Sequence, residues 1–166
     1  MADETLVSAI LAGPEGLAEW RARFPQAPLD LNGADLAGRN LAGFDLAAAD
    51  FSGANLAGCD FRGARLKGAS FVSADLRQAR LSGANLDDAS LFHIVATGAV
   101  LGPIAGDADY DAAVMRRVNA READFSGANL ERCDLSEANV REANLAGANL
   151  YRADLTGAYL RRADLR

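Results

Sequence analysis

The chain has 166 residues, a formal net charge of -6 and a sequence pI near 4.7. This length suits one domain with a real core and is too short for two ordinary domains. The acidic balance argues against direct nucleic-acid binding, because phosphate affinity comes from clustered Lys and Arg; it favours solubility, basic partners or imitation of nucleic acid.

The N-terminal segment MADETLVSAILAG does not resemble an export signal. It has acidic residues where a signal peptide needs positive charge, and its short apolar run ends in Gly-Pro. Nowhere does the chain approach the roughly 18 uninterrupted apolar residues of a membrane span. We therefore expect a cytoplasmic protein with no membrane partner.

A short helix is predicted from Pro14, a residue that suits the first helical position. Leu17, Trp20 and Phe24 then fall on one face of this helix.

From Leu31 the sequence repeats every five residues. A large apolar residue stands at every fifth position from Leu31 to Leu91 and again from Phe125 to Leu165, and the residue two places earlier is usually Ala. A period of five fits neither a helix nor a strand. In an extended segment these two residues point inward, the Asp or Asn between them points outward, and a frequent Gly follows at a corner. The pattern predicts a solenoid with the large residues stacked inside.

These residues resemble the pentapeptide-repeat proteins, whose motif is A(D/N)LXX, and the match covers residues 31–91 and 123–165. The resemblance implies an all-β solenoid, a right-handed quadrilateral β-helix with four pentapeptides in each coil and about 5.5 coils. The segment GLAEWRARFPQAPLDL also resembles the leader of many bacterial members. We expect a helical cap over residues 1–29, β-helix over 30–101, an excursion over 102–121 and β-helix again over 122–166.

The predicted core consists of the inward residues of successive coils. With four pentapeptides in a coil, Phe51 is expected to stack on Phe71, whereas Phe61 lies on another side. Twenty-two pentapeptides give a rod of about 26 Å at roughly 4.8 Å per coil. The predicted core residues are Leu36, Leu46, Phe51, Leu56, Phe61, Leu66, Phe71, Leu76, Leu86, Leu130, Leu145 and Leu150.

At four places the residue two before the inward residue is not Ala. Arg39 and Phe44 stand there in the first coil, and we expect the leader helix to pack on Phe44, with Trp20 as its contact. Cys59 and Cys133 occupy the same position and are interpreted as buried, inert thiols.

The five-residue pattern lapses between Leu91 and Ala123, where Gly102-Pro103 and Gly106 interrupt the chain. We expect a short helix there whose face is Tyr110, Val114 and Val118. Two interpretations stay open. The helix covers the side of the solenoid, or it is a contact element that presents Tyr110 and the arginines Arg116, Arg117 and Arg121.

No catalytic constellation is recognisable in the sequence, so we expect neither enzymatic activity nor a cofactor or metal. His93 is isolated from any nucleophile or carboxylate motif. The leading hypothesis is a protein-interaction or scaffold module with an unknown partner. The resemblance implies an alternative, a DNA mimic that binds or protects DNA gyrase, as quinolone-resistance members do.

A homodimer through the C-terminal coils is also predicted, with Tyr151 and Tyr159 near the contact. An uncovered coil exposes strand-like edges, which proteins cover or pair. The dimer matters to the gyrase hypothesis, because a rod of about 26 Å is shorter than one turn of DNA, roughly 34 Å.

Overall fold

The computed structural model describes residues 3–103 and 112–166, which form two helices followed by a solenoid. Helix α1 spans Glu4–Leu11 and helix α2 spans Pro14–Arg23. In the described ranges the solenoid has no continuous strand, because each straight side of a coil is a single-residue parallel bridge.

The bridges establish four sides to each coil. They join residues twenty apart, as in Asp30 to Asp50 and Asp35 to Asn55, and twenty residues are four pentapeptides. Between Leu101 and Ala113 the interval lengthens, so that Asn85 pairs with Val114, twenty-nine residues later. The chain therefore carries nine residues more than the repeat needs at that point, and its register resumes unchanged beyond them.

The predicted core residues line the inside of the solenoid. All of them are at most 3 % exposed except Leu150, which is partly buried because only one described coil packs against it. Phe51 and Phe71 stack with ring centroids 5.0 Å apart, and Phe61 meets them edge-on at 5.9 and 6.2 Å. The rings thus combine stacked packing along one side with edge-on packing across the interior of the solenoid.

Each corner consists of the two residues that follow an inward residue. After Leu31, the N–H of Ala34 donates to the Leu31 carbonyl at 3.0 Å, and Gly33 between them has φ +71°. The outward Asp30 completes the corner, since its carboxylate accepts the N–H of Asn32 at 3.1 Å. This short-range bond explains why the repeat places Asp or Asn before the large residue.

Helix α1 was not predicted. Its N-cap is Asp3, whose carboxylate accepts the N–H groups of Thr5 and Leu6 at 2.8 and 3.3 Å, and its buried residues are Leu6 and Ile10. A capping Asp followed by apolar residues four apart was the signal that could have revealed this helix.

Trp20 joins the two helices. Its indole N–H donates to the Thr5 hydroxyl of α1 at 3.0 Å, and its ring lies 5.4 Å from that of Phe24, which is 37 % exposed. These contacts hold Trp20 within the cap, and its expected contact with Phe44 stays a prediction.

Phe44 is buried beside α2. Leu17 and Ala18 border the groove next to it, and the Arg21 guanidinium donates to the Asp45 carbonyl at 2.8 Å. The leader helix thus lies against the first coil, with Leu17 and Arg21 beside Phe44 and Asp45.

The excursion predicted over 102–121 is too long. Val114 forms bridges to Asn85 and Asp134, Met115 and Val118 are fully buried, and the N–H of Ala113 donates to the Leu101 carbonyl at 2.8 Å, the same bond that closes other corners. No helix face contains Val114 and Val118, because both belong to the coil. The repeat was hidden because Met115 and Ala120 hold inward positions usually filled by Leu or Phe. Tyr110 lies outside the described residues.

The second residue of each corner adopts a left-handed conformation, and its identity changes along the solenoid. From residue 33 to residue 83 it is Gly at eight of eleven corners. From Asp88 onward it is charged at eight of thirteen. A non-glycine residue in this region is strained by about 1–2 kcal/mol. The second half therefore carries charged side chains at strained backbone positions that glycine occupies in the first half.

Replacing Arg132 with glycine is expected to stabilise the protein. Arg132 has φ +58°, so glycine relieves strain, and after glycine's larger entropy loss we expect a gain of about 0.5–1 kcal/mol in the free energy of unfolding. Urea denaturation measures it. Arg141→Gly is the control, because Arg141 is a first corner residue without positive φ and should lose stability. Equal losses in both variants would contradict the assignment of strain.

Candidate interaction surface

Arg116 forms an ion pair across the insertion. Its guanidinium binds the Asp87 carboxylate through two hydrogen bonds, of which the one from Nε is 3.0 Å long, and it also lies 3.9 Å from Asp134. The Asp87 side chain is only 4 % exposed. The hydrogen bond from Arg116 holds the pKa of Asp87 below its ordinary value, against the opposing effect of burial.

Arg117 repeats this arrangement one residue later. Its guanidinium donates to both Asp88 oxygens at 2.8 and 3.1 Å, and Lys67 lies 4.0 Å from the same carboxylate. Both arginines thus join the coil before the insertion to the coil after it. They lie on a solenoid corner rather than on an excursion, which corrects their predicted placement on a contact helix.

Arg121 lies on a different corner and is about as accessible as Arg116 and Arg117. Its guanidinium is 2.8 Å from Glu122 and 3.6 Å from Glu142, and about half of its side chain is exposed. The structure does not bring Arg121 together with Arg116 and Arg117.

The two tyrosines proposed for dimer contact are exposed. Tyr151 and Tyr159 are 59 % and 54 % accessible, and Leu165 is 55 % accessible. The Arg141 guanidinium lies 4.9 Å from the Tyr159 ring centroid, a cation–π distance. The last coils therefore expose aromatic, aliphatic and cationic groups.

The cysteines offer no reactive thiol. Burial raises the pKa of Cys59 to about 11 and that of Cys133 to about 12, and the Cys59 thiol donates to the Leu36 carbonyl at 2.8 Å. Both thiols therefore stay protonated near neutral pH.

The described residues contain little that suggests chemistry. Over residues 3–103 and 112–166, no three His, Cys, Asp or Glu side chains converge where they could hold a metal ion. His93 is exposed, with only the Ser73 hydroxyl 3.5 Å from its Nδ1. Neither described helix is long and apolar enough to cross a bilayer.

Comparison with known families identifies the repeat. A sequence model described as pentapeptide repeats matches residues 30–68, 106–136 and 133–166, and a second model of the same description matches residues 51–95. Together these cover most of the chain. The protein belongs to the pentapeptide-repeat family. Pentapeptide-repeat proteins are generally non-enzymatic structural or interaction modules.

Several pentapeptide-repeat structures are similar to this chain. HetL from the cyanobacterium Nostoc sp. strain PCC 7120, involved in heterocyst differentiation regulation, is 32 % identical; the alignment covers 81 % of this chain and 71 % of HetL, with a TM-score of 0.48. Rfr23 from the cyanobacterium Cyanothece 51142 is 23 % identical, with 89 % and 97 % covered and a TM-score of 0.39.

Trypsin-treated QnrB1, a plasmid-mediated fluoroquinolone resistance protein, is 23 % identical, with 79 % of this chain and 78 % of QnrB1 covered and a TM-score of 0.41. No curated protein matches the chain. Membership of the family thus rests on the match of the chain to the two sequence models of the repeat.

The ion pair of Arg116 with Asp87 predicts a pH-dependent defect. Because the folded pKa of Asp87 is lowered, its contribution to stability is present above the unfolded value, about 3.9, and is lost as the pH falls through the folded value. Arg116→Met should therefore destabilise the protein at pH 7, since it leaves a nearly buried carboxylate unpaired. This deficit should shrink below about pH 4, where Asp87 is protonated in the variant.

Denaturation at pH 7 and pH 3 measures the effect, and Arg117→Met is the matched control. Its partner Asp88 is 40 % exposed, so its loss at pH 7 should be smaller. A deficit of Arg116→Met that is the same at both pH values would contradict the role of the carboxylate.

Proposed function

We propose that this pentapeptide-repeat protein is a non-catalytic protein-interaction module whose contact surface lies on the coils that follow the insertion. The observation that carries the proposal is the change at the left-handed corners, from glycine in the first half to charged residues in the second. Strained positions that persist although an easier residue is available are a mark of function. Partner contact accounts for these charged residues.

The outward residues on the straight sides of the coils already have a role in the fold. The outward Asp and Asn residues accept corner N–H groups, as Asp124 accepts from Ser126 and Asp134 accepts from Ser136, both at 3.0 Å. The side chain of the second corner residue has no such role, because in the first half glycines such as Gly33 and Gly53 form the same corner without a side chain. We also propose that the solenoid winds in the right-handed sense and that the protein is cytoplasmic.

Partner capture tests the proposal. Immobilised chain should retain a protein from a lysate of the source organism, and a variant with six charged corner residues changed to glycine should not. The control changes the non-glycine left-handed residues of the first half to glycine, and both variants should keep or raise the melting temperature. Capture that survives in the six-residue variant would remove the assigned surface. The six residues are Glu122, Arg132, Glu137, Glu142, Arg152 and Arg162, and the control residues are Ala48, Ser73 and Gln78.

A second candidate function is imitation of DNA toward gyrase, and the first coils favour it. Asp30, Asp35 and Asp50 have no basic group within 4.0 Å among the described residues, so their negative charge is not neutralised locally. Along one side the bridges run from Asp30 to Tyr159 in six steps. At roughly 4.8 Å each this gives about 29 Å, still short of one DNA turn of about 34 Å. The mimic would therefore need a dimer through the C-terminal coils, with Tyr151 and Tyr159 at the contact.

Two measurements test this candidate together. A supercoiling assay with gyrase and a fluoroquinolone should show protection or inhibition, and sedimentation should show a dimer. A monomer at high concentration that leaves gyrase unaffected at micromolar protein would eliminate both parts.

A further inference from the structure

Four arginines gather on one corner of the last three coils. Arg121, Arg141 and Arg161 hold the first corner position in successive coils, and Arg162 holds the second position beside Arg161. The N–H groups of Glu122 and Glu142 donate to the carbonyls of Arg141 and Arg161 at 3.0 and 3.1 Å, which fixes the corners above one another. We call these four residues the arginine corner. With Asn139 and Glu142 they line a groove of about 360 Å³.

The arginine corner is only partly neutralised. Arg121 binds Glu122 and Glu142, and Arg141 lies against the Tyr159 ring. Arg161 and Arg162 have no carboxylate within 4.0 Å among residues 3–103 and 112–166. The groove is therefore locally positive on a chain whose net charge is -6, and two exposed guanidiniums are free to bind a carboxylate.

The solenoid itself does not require arginine here. The first position of the same corner in earlier coils is Asn32, Ser52, Val72 and Phe92. Arg162 also has φ +63°, a strained position that glycine would fill more easily. Neither packing nor corner geometry thus explains this column of positive charge.

The spacing of the column fits one kind of partner better than others. Coils repeat at about 4.8 Å. Acidic side chains on one face of an α-helix recur about every turn, or 5.4 Å, so a helix parallel to the solenoid axis stays in step over three coils. Alternate side chains of an extended peptide recur at about 6.6 Å and fall out of step after one coil. Arginine forks also suit carboxylates, which they bind through two parallel hydrogen bonds.

We propose that the arginine corner binds an acidic α-helix of a partner protein, with the carboxylate of one turn on Arg141 and that of the next turn on Arg161 and Arg162. Glu142 holds Arg121 and repels further acids, so the helix ends its ionic contact near Arg141. Tyr159, which is 54 % exposed beside Arg141, offers an apolar surface to the helix flank. This proposal rests on the proposed function, because it names the chemistry of the partner.

Synthetic helical peptides test the proposal with the full chain. The probe is a fluorescent alanine-based peptide with glutamates along one face, and the comparison peptide has the same composition with glutamates spread around the helix. Fluorescence anisotropy should show binding of the one-faced peptide at least tenfold tighter than binding of the comparison peptide. Its affinity should fall with added salt, because the contacts are exposed ion pairs.

Matched charge changes locate the binding site. Changing Arg161 and Arg162 to Gln should weaken binding at least tenfold. Changing Arg39 and Arg65 to Gln removes the same charge from exposed positions in the first coils, outside the proposed contact surface, and should leave binding within twofold. Thermal melting checks that both variants fold; if the first does not, Arg141→Gln alone should still weaken binding several-fold.

Three results would overturn the proposal: equal affinity for the two peptides, equal loss in both double variants, or a single-stranded oligonucleotide that binds the arginine corner more tightly than the one-faced peptide. Comparison with partner capture separates this inference from the proposed function. If capture persists with Arg161 and Arg162 changed but fails in the six-residue glycine variant, the module stands and its contact lies on another corner.

Discussion

The structure depends on hydrogen bonds between the backbone of one coil and the next. Leu31 donates to the Asp50 carbonyl at 2.8 Å and Asp50 donates back to the Leu29 carbonyl at 2.9 Å, and the same exchange recurs on every side. These bonds require each straight side of a coil to match the side of the neighbouring coil. The period of five, the inward stack and the outward Asp or Asn all follow from that requirement, because additional residues on a straight side would break the ladder, whereas a corner can accept them.

The same constraint explains how the chain tolerates an insertion. Nine additional residues enter at one corner, and the bond from Ala113 to the Leu101 carbonyl closes that corner as it closes the others. Ser82 helps to fix its near side, since its buried hydroxyl donates to the Gly102 carbonyl at 2.6 Å. The Arg116 and Asp87 pair binds the flanking coils on the neighbouring corner. The later coils therefore keep the same hydrogen-bond register despite the inserted residues.

The sequence alone could predict the positions of residues within the repeat, but it could not predict which side chains form ion pairs across the insertion. The five-residue period, together with the four pentapeptides per coil that the family resemblance implies, predicted the sides of the coil and the stacking of Phe51 on Phe71. Arg141 and Arg161 are twenty residues apart, so the same rule could have placed them in one column. Asp87 and Arg116 are twenty-nine apart, and their pairing needs the length of the insertion, which a non-repeating segment does not disclose.

The corner arginines fall into two groups, one that stabilises the fold through ion pairs and one that is available to bind a partner. Arg116 and Arg117 meet carboxylates of the adjacent coil, so their charge is used within the chain and their removal acts on folding. Arg161 and Arg162 stand on an equivalent kind of corner, yet they have no carboxylate within 4.0 Å among the described residues. A repeat that places identical backbone at every corner makes this contrast informative, because geometry is held constant while charge pairing varies. The candidate binding surface is therefore the part of the solenoid where the backbone hydrogen bonds continue between coils but the arginines have no carboxylate partner among the described residues.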